Sequence, residues 1–191
     1  MFQLTPLVRN LIIINVVVFL LQQIVPIINA LVPLYDVSSG YFRPYQFFTY
    51  MFAHGSFMHI LFNMFAIASF APILENVWGE KKLLFYYLAT GIGAGAIYIL
   101  VNYFVFGGHQ GSMVGASGAI YGLLIAFGLT FPEMEIRMFF GAFPVKAKYM
   151  VFIIGFITYL MDKSGTVAHL AHFGGAFVGL IVLNVWKSKG R

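Results

Sequence analysis

Long apolar runs separated by short polar or glycine-rich stretches fill the chain, and they predict six membrane-spanning helices. The first covers residues 7–31, with Arg9 its one charge. At about 1.5 Å per residue it crosses an apolar core about 30 Å thick. It is too long for a secretory signal and lacks a small-residue cleavage site. Residues 33–46 are polar, aromatic and turn-rich (Asp36, Ser38, Ser39, Gly40, Arg43, Pro44), which predicts an interfacial loop. Further spans are expected over residues 57–73, 83–106, 116–131, 149–161 and 167–186. Glu75, Trp78, Gly79, Glu80, Lys81 and Lys82 form a polar connection. Residues 107–112 form a flexible one, and Pro132 to Lys148 a loop charged at both ends whose Met138–Phe143 stretch can dip into the interface. Asp162-Lys163-Ser164-Gly165 makes the last outer turn. The fourth span is short, so a fully embedded helix of that length begins below one membrane surface.

Composition turns these runs into a membrane protein. Hydrophobic residues make up 61% of 191 positions, charged ones 9%, and the mean hydropathy is +0.89, which makes lipid the solvent for most of the chain. No cysteine is present, excluding disulfides, thiolate catalysis and Cys-ligated metals. The net charge of +5 lies at the ends of apolar segments and not along a phosphate-binding stripe, so no nucleic-acid partner is expected. With the N-terminus in the cytoplasm, Arg9, Lys81, Lys82, Arg137, Lys146, Lys148, Lys187, Lys189 and Arg191 fall inside. Only Arg43 and Lys163 fall outside. This nine-to-two split predicts an all-α, polytopic, six-helix bundle with both termini cytoplasmic. It forms a single domain over residues 1–191.

In that topology the second, fourth and sixth helices all run inward. His59, Ser117 and His172 then lie within about six residues of the outer ends, at one depth about 10 Å or less below the surface. Ionisable groups sharing a depth inside a membrane point to a water-filled pocket. Taken singly, each has a plainer role. Ser117 sits between Gly115 and Gly118, and Gly118 pairs with Gly122 in a small-xxx-small pattern that serves helix packing. A lone intramembrane histidine often bridges helices. His172, however, lies three residues before Gly175 and seven before Gly179, on a face that admits another helix closely. A serine and an imidazole on two such faces can meet, which serine activation requires. Tyr121, one turn after Ser117, can stack on the imidazole. His59 and Asn63, four residues apart on one helix face, can hold an oxyanion together with the Ser117 backbone N–H, or form a structural polar bridge. Asp36 and Asp162 fall in outer loops, so the chemistry would be a Ser-His dyad. His54, His59, His109, His169 and His172 show no HExxH spacing, and neither metal nor cofactor is expected.

These stretches, taken in order, resemble the rhomboid family of intramembrane serine proteases. They are His54-Gly55-Ser56-Phe57-Met58-His59-Ile60-Leu61-Phe62-Asn63, Glu75 to Gly79, Gly115-Ala116-Ser117-Gly118 with Tyr121, and Ala171-His172-Phe173-Gly174-Gly175 with Gly179. The resemblance implies a serine endopeptidase of minimal six-helix form with Ser117 as nucleophile and His172 as general base. His59, Asn63 and the Ser117 amide would form the oxyanion hole, and Tyr121 would orient the histidine. Gly115, Gly118, Gly175, Gly179 and Glu75 would be structural. His169, one turn earlier, is the competing base; the x-Gly-Gly step after His172 selects the latter. Where the family often carries Trp-Arg in the first loop, this chain has Tyr45-Gln46, which bears on salt-bridging in that loop. Single-pass transmembrane proteins in the bilayer are the implied substrates. The implied location is a bacterial cytoplasmic membrane, with the site open to the extracytoplasmic side. Residues 161–165 and the outer end of the fifth helix are the expected moving parts. The alternatives are an inactive rhomboid-like protein that binds membrane helices without cutting, and a small transporter. The transporter predicts internal repeats around a midplane site, and none is found.

Overall fold

Pro6 opens the first helix, α1 (Pro6–Ile24), where a missing N–H costs nothing and the fixed φ suits a helix. In this computed structural model, residues 4–108, 111–138, 143–161 and 166–190 are described. His109, Arg191 and the Asp162–Gly165 turn, to which the sequence assigned places or motion, lie outside them. The first span is shorter than the expected 7–31. Val25 is extended (φ −121°, ψ 90°) because Pro26 follows it, and residues 28–31 form a separate turn, α2 (Ile28–Leu31).

The first loop then carries a two-residue strand, β1 (Leu34–Tyr35), a short helix, α3 (Gln46–Thr49), and a 3₁₀ turn over Tyr50–Phe52. Buried Gln46 organises it. Its Oε1 accepts from the Arg43 N–H at 3.0 Å, and its Nε2 donates to the carbonyls of Tyr41 (3.0 Å) and Leu31 (3.3 Å). Gln46 thus holds the loop together through neutral bonds to backbone. Asp36, buried, fastens the loop to the next helix pair by accepting from Asn102 Nδ2 at 2.8 Å.

Ser56 caps α4 (Phe57–Trp78), its side chain accepting from the His59 N–H at 3.2 Å. This helix extends beyond the expected residue 73. It continues through Pro72 to Trp78, and Gly79 alone (φ 82°) links it to α5 (Glu80–Phe106). Glu75 is therefore helical and buried, and the Thr5 hydroxyl donates to its carboxylate, tying the start of α1 to the end of α4. The charges of Glu80, Lys81 and Lys82 begin a helix and do not form a loop. Lys82 Nζ lies 4.5 Å from the centre of the Trp186 ring, where the ring face attracts it.

Strand β2 (Ser112–Met113) pairs antiparallel with β1, and α6 (Ser117–Thr130) follows. A second antiparallel ribbon, β3 (Glu135–Met138) with β4 (Phe143–Lys146), leads through a 3₁₀ turn to α7 (Met150–Met161). The last helix is α8 (Thr166–Ser188). Among the described residues, the two ribbons are the departures from an all-helical chain. Beside the second, Lys146 and Lys148 pair with Glu133 and hold its carboxyl down at about 2. Among the described residues, four helices are long and apolar enough to cross a membrane: α1, α4, α5 and most of α8. Residues 117–130 and 147–160 form shorter apolar helices.

The core is centred on α6, which is flanked by α4, α5 and α8. Every residue of Gly118–Leu124 is buried, as are Ala126, Phe127 and Gly128. Large buried tyrosines fill the space around it. Tyr50 donates to the Gly91 carbonyl at 2.5 Å and Tyr86 to the Gly122 carbonyl at 2.9 Å, so each phenol is satisfied within the apolar layer.

Candidate active site

Glycine on both sides of one helix crossing positions the site. A Cβ on Gly175 would overlap the carbonyl oxygen of Gly118, and one on Gly179 would meet the Tyr86 hydroxyl and lie 3.2 Å from Gly122 Cα. The α6 and α8 backbones therefore touch with no side chain between them. Ser117 is the first residue of α6, beside Gly118, and His172 lies one turn before Gly175. Tyr121, one turn into α6, stacks on His172 with ring centroids 4.3 Å apart and planes 9° from parallel. Its hydroxyl lies 2.7 Å from Thr158 Oγ1 on α7, which fixes the ring from the far side. Ser117 and His172 are both half-buried at this crossing.

The loop before α6 brings in the second helix. Gly115 has φ +119°, a conformation that L side chains rarely adopt, and its N–H donates to the Tyr50 carbonyl at 2.9 Å. A Cβ there would lie 2.7 Å from both Cε1 and Nε2 of His59 and 3.5 Å from Asn63 Nδ2. The two side chains therefore face the chain two residues before Ser117. Gly115→Ala is expected to push the His59 ring aside and strain the loop by about 1–3 kcal/mol. The melting temperature should fall by a few degrees, and an unchanged melting temperature would count against this geometry.

His169 sits further along the same side of α8, its ring 5.1 Å from Tyr159 and 6.3 Å from His172. Tyr121, Gly155, Tyr159, His169, His172 and Phe173 border a largely apolar groove of about 430 Å³ between α6, α7 and α8. Among the described residues no three His, Cys, Asp or Glu side chains have metal-binding proximity.

Two groups in this region were not assigned roles from sequence. His54 is buried and lies 2.9 Å from Asn63 Nδ2 through its Nε2, with its ring 5.0 Å from that of His59. Gln22, on α1, accepts from the His54 N–H at 2.9 Å. Asn15 and Gln22, polar residues seven apart in an apolar helix, mark in the sequence a face of α1 that the structure buries together with Val8 and Leu11.

The chloroplastic rhomboid-like protein 11 of Arabidopsis thaliana is 33% identical over 152 residues, covering 74% of this chain and 51% of the relative. The mitochondrial presenilin-associated rhomboid-like protein of Bos taurus is 30% identical, covering 72% and 38%. The mitochondrial rhomboid protein 1 of Saccharomyces cerevisiae is 27% identical, covering 68% and 38%. The chain thus spans about half or less of the length of these curated relatives. Residues 41–187, which hold Ser117, His172, His59 and Asn63, match the rhomboid domain as a unit, and with its long apolar helices this integral membrane protein belongs to the rhomboid family.

Proposed function

We propose that the chain is an intramembrane serine endopeptidase using a Ser117–His172 dyad. The observation that carries this reading is the side-chain-free crossing of α6 and α8, with Ser117 and the Tyr121-stacked His172 on it and His59 and Asn63 against Gly115. Ser117 Oγ attacks the scissile carbonyl carbon while His172 takes the hydroxyl proton. The resulting oxyanion is held by the Ser117 N–H, His59 and Asn63. Collapse breaks the C–N bond, and His172 passes its proton to the leaving amine. Water then attacks the acyl carbon while His172 takes its proton, the bond to Ser117 Oγ breaks, and His172 returns the proton to Ser117 as the new carboxylate is released. A helix hides its carbonyls in its own hydrogen bonds, so the favoured substrates are single-pass membrane proteins whose helices carry Gly or Pro and unwind easily.

In this reading the two shorter helices complete six spans, both termini are cytoplasmic and the site opens outward, as the nine-to-two charge split supports. The relatives described above are named as mitochondrial or chloroplastic, so they lend a bacterial cytoplasmic membrane no support. The detergent-solubilised protein is expected to be labelled by a fluorophosphonate probe, and Ser117→Ala to abolish the label. A wild-type protein that resists the probe would instead favour a rhomboid-like binder of membrane helices that does not cut them.

A further inference from the structure

The contacts of His54 extend the site toward α1. His54 Nδ1 lies 3.3 Å from the Phe52 carbonyl oxygen. A carbonyl can only accept, so Nδ1 carries the proton and Nε2 of the neutral ring is the acceptor. The group 2.9 Å from Nε2 is the Asn63 amide nitrogen, which is a donor. That nitrogen has two hydrogens; the bond to His54 uses one and sets the direction of the other, on the group that stands against Gly115. His54 is in turn held at its backbone. Its N–H donates to Gln22 Oε1 at 2.9 Å, Gln22 Nε2 donates to Asn29 Oδ1 at 2.9 Å, and Asn29 Nδ2 returns to the Gln22 carbonyl at 2.8 Å. Burial, and then the neighbouring His59, push the His54 pKa down to about 3, so the ring stays neutral and remains an acceptor.

We infer that His54 is a positioning residue for the oxyanion hole: its Nε2 fixes the Asn63 side-chain amide so that one N–H addresses the oxyanion, and Gln22 anchors His54 from α1. This inference rests on the hydrolytic reading above. It assigns His54 no proton transfer and no contact with substrate. Preorganised donors act by being aimed before charge develops, and removing such a donor outright costs about 10²–10³-fold in rate. Loss of its aim should cost less, on the order of 10-fold.

The test is the rate of fluorophosphonate inactivation of the full chain in detergent, resolved into kinact and KI, because negative charge also builds on the phosphoryl oxygen during that reaction. His54→Phe keeps the ring but not the acceptor, and kinact should fall on the order of 10-fold with KI unchanged. His54→Gln places an acceptor near the Nε2 position and should restore most of the rate, whereas His54→Asn mimics only Nδ1 and should not. His54→Phe combined with Asn63→Ala should be no slower than Asn63→Ala alone, since the effect runs through Asn63. On ¹⁵N-histidine-labelled protein, Asn63→Ala should shift the His54 Nε2 resonance of an Nδ1–H tautomer. Wild-type kinact in His54→Phe, additive losses in the double variant, or an Nε2–H tautomer would each overturn the assignment while leaving the protease reading intact. If His54→Phe does not fold, the Gln and Asn variants decide, and Asn outperforming Gln overturns it. A wild-type protein that is never labelled overturns the hydrolytic reading and this role with it.

Discussion

Alanine at Ser117 or at His172 is expected to lower cleavage of a membrane-reconstituted single-span substrate by on the order of 10⁴-fold or more, with the helices still packed. The two losses should be similar in size and barely additive, because nucleophile and base act as a unit. The fold is expected to survive each change for separate reasons. Ser117 occupies the first turn of α6, where Ala116 is already the N-cap residue, and alanine is the best helix former. Removing the His172 ring forfeits its stack on Tyr121, worth about 0.5–1.5 kcal/mol beyond the buried area, at a half-buried position. His169→Ala should have a far smaller effect, because its ring stands beside Tyr159 and not on Tyr121. Cleavage rates measured beside thermal unfolding in the same detergent would check this. More than about one per cent residual turnover in either the Ser117 or the His172 variant, far above the loss expected of a dyad, would remove that residue from the chemistry.

The second large effect is structural. Gly175→Ala places a methyl group into the carbonyl oxygen of Gly118, and neither backbone can turn aside as a side chain would. Overpacking typically costs about 1–3 kcal/mol, and a clash of backbone against a rigid methyl should reach the top of that range or pass it. Two helices forced apart at this crossing carry Ser117 and His172 away from each other, so activity should vanish along with a clear fall in melting temperature. Gly40→Ala is the control: that loop position is exposed and has nothing within 4 Å of an added Cβ, so it should change neither. A Gly175→Ala protein with unaltered melting and turnover would contradict the backbone contact.

What the sequence revealed followed from periodicity. The apolar runs marked the helices, and the spacing of His172, Gly175 and Gly179 marked the face of α8 that meets α6. That face was legible because a glycine's missing side chain has an unambiguous consequence at a helix crossing. Where local chemistry competes with pattern, legibility failed. Glu80, Lys81 and Lys82 look like a loop in an apolar chain, yet Gly79 alone makes the turn and Glu80 suits the positive end of the α5 dipole. Pro26 ended the first helix inside a segment long and apolar enough to look like one span. The pairing of His54 with Asn63 leaves no trace in any period, because His54 lies on the extended stretch before α4 and its orientation is set by α1, 32 residues away.

The enclosure of α6 also bears on how the protein is made. At 14 residues and about 1.5 Å per residue this helix is about 21 Å long, short of an apolar core about 30 Å thick. Its glycine groove is closed by α8, which leaves the ribosome after α6. Until then the nascent chain has a segment that the bilayer alone holds poorly, and that must shelter against α4 and α5, already inserted. The crossing of α6 and α8 therefore cannot form until the segment from residue 166 onward has been made, and a chain stalled before it carries Ser117 without the helix that bears His172.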